Sequence, residues 1–555
     1  MFVLKLVVET IGGSDIDMKK LLLIKLAAMS VAVSVTMGLA SCNMGGQNES
    51  VPGDTNAVQT TNTPGGESNP AGQTSETEKP DKPDVDPASI EYKAAKTINA
   101  ETTEKKKTYQ STNADECAVI LKGSKKTINL TNPVIKKSGD SSNIDVSNYF
   151  GVNAACLTMN AAKAQIAGGT ITTEGKGVNG AFSYGGMGEQ QGMSGDGTVL
   201  TVNDSTITTN GENSTGVMTA AHSTTNMTND TVTTNGNSSP AIGSENGGGV
   251  AKITGGTFTT NGKASPAIFT TADFLTDKAA HFNITKGAKF TTNKSPAVVV
   301  EGMGSVKLAS SNITANHTDL YGKGKFLCSV LLFQSVPGKD SNSNTTYFTM
   351  NDGKLISKRG HVFHVTNTTG VISLSGVTIT NEEKEKVILS VSPDGWKGGD
   401  NVAIFNASRC KLNGDFLVAK KGKLTINFSN GTEYTGTIRG NVTTADGESV
   451  SDKQGIVYVN LGADCTWTLT ADTYVNSFSG DLGNVKLNGH QLFVGQEPAK
   501  NTTTPEPTKA PSLVKVPKPT KKPTKKPTKK PTKKPTKKPT KKPTPKVDNN
   551  NNPTP

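Results

Sequence analysis

Two aspartates and one Arg/His cluster are the residues whose types and spacing offer acid–base chemistry in this 555-residue chain. Asp204 and Asp230 stand 26 positions apart, each following an asparagine and preceding a Thr-apolar-Thr-Thr segment. If those segments stack as copies, the two carboxyls fall about one inter-strand spacing apart, near the roughly 5 Å of a retaining glycosidase pair. The same Asn-Asp dipeptides suit plain turns, in which a short polar side chain bonds its own backbone, and the next copy has Gly255-Gly256 there. Asp196, Glu212 and nearby carbonyls offer the oxygen ligands of a Ca2+ option, without a calcium-binding nonapeptide repeat; no other cofactor or metal is expected. Arg359, His361 and His364 are suited to neutralising a uronate and abstracting its proton. Strand alternation sends His361 and His364 to opposite faces, which argues against a shared metal. Trp396 lies between Asp394 and Asp400 in a turn-rich loop that predicts an exposed ring beside acids able to grip sugar hydroxyls. Trp467 alternates with Leu469 and reads as core.

The elements that must position these residues are short strands. Hydrophobic residues make up 33% of the chain and aromatics 5%, with 58 glycines, which argues against a helix-rich enzyme and against a polytopic membrane protein. An internal repeat dominates the middle: Thr206-Ile207-Thr208-Thr209-Asn210-Gly211, Thr231-Val232-Thr233-Thr234-Asn235-Gly236 and Thr257-Phe258-Thr259-Thr260-Asn261-Gly262, with Asn293 closing a fourth copy. Ser239-Pro240-Ala241-Ile242, Ser265-Pro266-Ala267-Ile268 and Ser295-Pro296-Ala297-Val298 form a second phase, and Leu200-Thr201-Val202 with Ala251-Lys252-Ile253 a third. Three short strands per repeat of about 25 residues predict an all-β parallel β-helix, because a four-residue strand buries nothing alone and stacked copies bury a column. Ile207, Val232, Phe258 and Phe290 should stack in one wall, with flanking threonines outward and Asn210, Asn235 and Asn261 in an amide ladder. Over residues 90–498 this spacing predicts about 16 rungs and about 75 Å of length. Val485–Val494 reads as a closing hairpin around Asn488-Gly489, and the best alternative helix lies within 265–282.

The ends read differently. Met18-Lys19-Lys20 opens a basic segment followed by an apolar stretch from Leu26 to Ala40, too short for a stable membrane span. Leu39-Ala40-Ser41-Cys42 resembles the bacterial lipobox, which implies a signal peptide over 1–41, thioether lipidation of Cys42 and an exported, lipid-anchored protein at the cell envelope. Residues 42–89 are poor in apolar side chains and read as a disordered linker. The tail, 499–555, repeats Lys-Lys-Pro-Thr six times, pairing Lys521 with Lys522, Lys525 with Lys526, Lys529 with Lys530, Lys533 with Lys534, Lys537 with Lys538 and Lys541 with Lys542. Proline at every fourth position and repelling lysines favour an extended polycation, suited to cell-wall or other envelope polyanions rather than nucleic acid. From Pro505 onward 16 lysines face two acids, which accounts for the whole +12 of the chain and leaves the rest slightly acidic. Five cysteines remain after Cys42, with no metal-ligand or redox spacing.

The Thr-Ile-Thr-Thr-Asn-Gly and Ser-Pro-Ala-Ile copies, the Gly395–Asp400 turn and Tyr434-Thr435-Gly436-Thr437-Ile438 resemble bacterial pectin-lyase-like β-helix surface proteins, including adhesin-like and autotransporter-passenger repeats, over roughly residues 160–495. That resemblance implies a right-handed winding and a surface address. It leaves open an adhesin-like or carbohydrate-binding module meeting a glycan or a neighbouring or host surface, a polysaccharide lyase or glycoside hydrolase, and a stalk between membrane and wall, since one scaffold serves all three.

Overall fold

The computed structural model describes residues 85, 87–186, 195–271, 280–335, 345–396 and 399–495. Cys42, the signal segment, the linker through residue 84 and the tail lysines 521–542 lie outside them, while Pro87–Ser89, at the linker's end, form a short 3-10 turn. One rung shows how the sequence winds: Val217–Ala220, Ser223–Thr228 and Thr231–Thr234 are its three strands, separated by short corners. The first strand of each rung joins a 13-stranded sheet running from Lys93–Ile98 to Ile438–Arg439. The second and third strands form a 26-stranded sheet. The two series merge because Ser305–Ala315 and Thr345–Ser357 pass the corner without a break. Pairing between rungs is parallel throughout both sheets, so the predicted parallel β-helix is the fold.

Register follows the repeat. Ile171, Ile207, Val232, Phe258 and Phe290 sit one above another, and the Phe258 and Phe290 rings stack at 4.9 Å and 13°. This column belongs to one continuous core that runs the length of the solenoid. The flanking first and third threonines of each repeat face out as expected, and the fourth, Thr209, Thr234 or Thr260, points inward and is fully buried. Strand alternation requires this, and the hydroxyl is satisfied locally. Thr209 Oγ1 donates to the Ser214 carbonyl at 2.7 Å and Thr234 Oγ1 to that of Ser239 at 2.6 Å. The next serine then ties rungs together, since Ser214 N–H donates to Ser239 Oγ and Ser239 N–H to Ser265 Oγ, both at 3.0 Å.

The asparagine ladder forms on the outside of the same corner. Asn235 Nδ2 donates to Asn210 Oδ1, Asn261 to Asn235 and Asn293 to Asn261, each at 2.6 Å. A second ladder, Asn406–Asn427–Asn460, runs further along at 2.8 and 2.7 Å. The glycine after the ladder position has no room for a side chain, because a Cβ on Gly236 would lie 1.8 Å from the Gly211 carbonyl oxygen. The corner between second and third strands holds Asp204, Asn229, Gly255 and Lys286 in the left-handed region, at φ 50, 55, 66 and 58°. Asn, Asp and Gly adopt that region at least cost.

Several expectations are corrected. The second and third strands each stack fourteen deep, against the about 16 rungs expected, giving about 65 Å at the inter-strand spacing, because excursions such as 316–327 and 440–455 consume residues between strands. Val485–Val494 is no hairpin: Val485–Lys486 pairs in parallel with Thr466–Thr468, and Leu492–Val494 with Thr473–Val475. Asn488 and Gly489, at φ 51 and 85°, make a corner of the continuing helix. Within 265–282 the described parts hold the strand Ile268–Thr270 and the start of His281–Thr285, and 272–279 lie outside the described residues. One α-helix is described, Ile144–Phe150, capped by the Asn143 side chain and by Gly151 at φ 76°. It covers Leu157 and Phe182 on the outer face of the 13-stranded sheet. The cysteines 117, 156, 328, 410 and 465 are buried and unbridged.

These contacts rank two substitutions. Gly236→Ala should cost at least about 2 kcal/mol, since backbone must move to admit the methyl group, whereas Asn235→Ala, which removes exposed ladder bonds, should cost about 1 kcal/mol. Thermal melts of the two variants check the order, and an equal or reversed loss would contradict the register.

Candidate functional site

The two aspartates do not form a pair. Asn203 aligns with Thr228 and Thr206 with Thr231, so Asp204 lies over Asn229 and Ser205 over Asp230. The rung here is 25 residues long, and a 26-residue spacing therefore misses alignment by one. Asp230 is 1% exposed, and its carboxylate accepts the Ser205 and Thr228 N–H groups at 2.9 and 3.1 Å. Burial pushes its pKa up to about 7 against those two bonds. It borders a shallow cleft of about 290 Å³ whose other walls include Gly255, Gly256, Lys286 and Lys289. Arg359 is elsewhere, exposed and 4.0 Å from Glu383. The oxygens proposed for Ca2+ are engaged separately. Asp196 accepts from Ala161 N–H and from Thr198 N–H and Oγ1, and Glu212 accepts from Asn237. Among the described residues no three His, Cys, Asp or Glu side chains gather in a metal-binding group.

The histidines do meet. His361 Nδ1 and His364 Nδ1 each lie 2.7 Å from Ser390 Oγ, and His364 Nε2 lies 3.2 Å from Asp394 Oδ2. Opposite-face placement fails because alternation breaks where this strand and its neighbour begin. Cys328, which aligns with His361, and Leu331, which aligns with His364, both sit in the outer apolar cluster despite being three residues apart. Asp394 Oδ1 accepts the N–H groups of Lys325 and Gly395, both at 2.7 Å, so the carboxylate is an acceptor on every side. Because that carboxylate accepts both N–H groups, His364 Nε2–H is the donor to it. Ser390 Oγ is shared between the Nδ1 atoms of both rings. Burial first, then His364 and Arg439, push the His361 pKa down to about 3, which keeps that ring neutral.

Ser390, His364 and Asp394 follow one another in the order of an acid–base triad, yet the network is closed. The side chains of His364 and Asp394 are 0% and 1% exposed, and Ser390 is 0% exposed. The Phe326 ring stacks on His364 at 4.5 Å and tilts against His361 at 5.7 Å. The network clamps the Lys325–Phe326 backbone and the loop after Val391 onto the sheet. Nothing in the residue pattern beyond the Arg/His spacing pointed to it; Ser390 lies inside an apolar strand, Val387–Val391.

Trp396 is also corrected. It is 8% exposed and its ring meets Phe333 at 4.4 Å. The outer face of the first sheet is apolar here, at Val299, Leu331 and Phe333, and Trp396 covers it. Gly322 and Gly324 let the 321–326 segment pass over the indole, since a Cβ on Gly324 would lie 3.0 Å from it. Asp394 turns inward to His364 while Asp400 is exposed. The three therefore make no sugar-gripping site.

What the solenoid presents to solvent is its outward columns. Thr170, Thr206, Thr231 and Thr257 form one exposed file, with Thr172, Thr208, Thr233 and Thr259 half-buried beside it. Gln165, Thr201, Asn226, Lys252, Asn283 and Lys307 form another in the adjoining strands. Comparison with protein-family models, with curated proteins and with solved structures found no match to this chain.

The buried titrating groups set opposed pH dependences. His317 is held at about 4 by burial and His361 at about 3. Unfolding lets both bind protons near pH 6.5, so they withdraw stability as pH falls from about 6.5 to 4. Asp230 acts oppositely: raised in the folded state, it binds its proton there first and adds stability as pH falls through 7 toward 4. Melting temperature against pH should therefore fall less steeply on acidification in His317→Gln and more steeply in Asp230→Asn. Parallel curves for all three proteins would contradict these assignments.

Proposed function

We propose that this chain is an exported, lipid-anchored envelope protein whose β-helix serves as an adhesin-like or carbohydrate-binding surface module, with the Lys-Lys-Pro-Thr tail holding envelope polyanions. The observation that carries the binding role is the contrast between the two kinds of polar site. Files of Thr, Asn, Gln and Lys lie open to solvent in register along the sheets, whereas the Ser390–His364–Asp394 network is sealed beneath Phe326. An extended, regular surface of hydroxyls and amides suits an extended polymer of repeating hydroxyls. It does so through many weak contacts rather than one deep pocket.

The address rests on Met18-Lys19-Lys20, the apolar stretch to Ala40 and the small residues before Cys42. Lipidation there would fix the mature N-terminus to a membrane, and the linker to residue 89 would set the reach of the solenoid. The tail brings twelve paired lysines, 521–542, into the same compartment, where polyanions of wall or membrane are within range.

Purified full-length chain applied to a glycan array should be retained without release of reducing ends or unsaturated sugars, and Ser390→Ala should leave retention unchanged. Product formation that disappears in Ser390→Ala would move the protein to the hydrolase or lyase reading.

A further inference from the structure

Charge on the solenoid is segregated. Among the described residues from 250 to 360, eleven Lys and Arg side chains face three carboxylates, Glu301, Asp319 and Asp352. Asp319 pairs with Lys263, and Asp352 with Arg409. The near-neutral balance of the folded region as a whole conceals this band.

Register turns the band into a grid on the two outward strands of five successive rungs, each file crossing four of them. Lys252, Asn283, Lys307 and Thr349 form one file. Lys289, Asn312, Lys354 and Thr378 form a second, across the corner that carries Lys286. Lys252, Lys286, Lys289, Lys307 and Lys354 are exposed, and none pairs with a carboxylate among the described residues. Within each file lysines recur every second rung, about 9–10 Å apart at the inter-strand spacing, with an amide in the rung between. At the edge of the grid, Tyr347 is 45% exposed and aligns with Ser305 and His281. The cleft walled by Gly256, Lys286 and Lys289 indents the same surface.

We propose that this grid is a binding face for an extended anionic polysaccharide. The paired files of unpartnered ammonium groups match recurring carboxylate or sulfate groups, the asparagines and threonines between them meet sugar hydroxyls, and the Tyr347 ring stacks on a pyranose face. The alternation of cation and amide is what separates this ligand from a nucleic acid, whose phosphates recur at every nucleotide. The inference rests on the glycan-binding reading above and assigns it a place and a ligand class. It is separate from the tail, which carries cations without an aromatic or amide neighbour.

The test uses the full chain with tail lysines 509, 515, 518, 521–542 and 546 replaced by glutamine, which removes the tail cations. Alginate, dextran sulfate and neutral dextran beads are the probes. Retention is expected on alginate or on dextran sulfate, weakening with salt, and not on dextran; binding to one of the two identifies carboxylate or sulfate as the anion. In that background the combined variant Lys252→Gln, Lys289→Gln, Lys307→Gln and Lys354→Gln should bind about tenfold more weakly with an unchanged melting temperature. Tyr347→Ala should weaken binding while leaving its salt dependence intact. Undiminished retention of the four-lysine variant, or no retention on either anionic bead, overturns the proposal. If the array retains the chain on neutral glycans while both anionic beads fail, the carbohydrate-binding reading stands without this face. If no glycan retains it, both fall.

Discussion

A four-residue strand with two inward side chains has no core of its own, and every feature of this protein follows from meeting that deficit with the next copy. Val232 is buried only because Ile207 and Phe258 lie above and below it. The corner chemistry enforces the stacking. The inward threonine satisfies a corner carbonyl, the serine after it accepts a backbone N–H from the neighbouring rung, and Gly236 brings the Gly211 carbonyl too close for any side chain. Each device fails if the rungs slip by one residue, because slipping a strand exchanges its buried and exposed faces.

Locking the inside frees the outside. Once inward positions are fixed, outward ones become columns whose chemistry varies without cost to the fold, and this chain uses them unevenly. Threonine files occupy the rungs around Thr206 and Thr257, lysine and asparagine files those around Lys252 to Lys354. The outer face of the first sheet is different again: it is apolar, and it is covered by the helix Ile144–Phe150, by Trp396, and near Leu417 by Val442. The outer face of the first sheet is therefore covered, whereas the outward columns of the other two strands stay open to solvent.

Much of this was legible in the residues. The repeat fixed the strand triplets, the Ile207–Phe290 column and the asparagine ladder, because those depend on neighbours at a constant period. Errors arose where the period changes or the chain leaves it. Asp204 and Asp230 looked aligned because both follow asparagine, yet the rung between them is one residue shorter than their spacing. Trp396 looked exposed because its loop is rich in Gly and Asp, and nothing local revealed the apolar face beneath it. His361 and His364 converge on Ser390 through a break in alternation that the pattern does not announce. The basic band is a contiguous stretch of the chain, but its lysines line up in files only after winding, through the register of rungs of unequal length.

The account's central claim is that outward residues stand in columns at one inter-strand distance, and oxidative cross-linking measures it directly. Lys252→Cys with Asn283→Cys places two thiols on aligned neighbours within disulfide reach, whereas Lys252→Cys with His281→Cys sets them diagonally, about 7–8 Å apart. The native cysteines described here are buried and do not compete. Rapid disulfide formation in the first pair and slow formation in the second is the predicted result. Equal rates, or faster bonding in the diagonal pair, would contradict the register and with it the arrangement of the binding face.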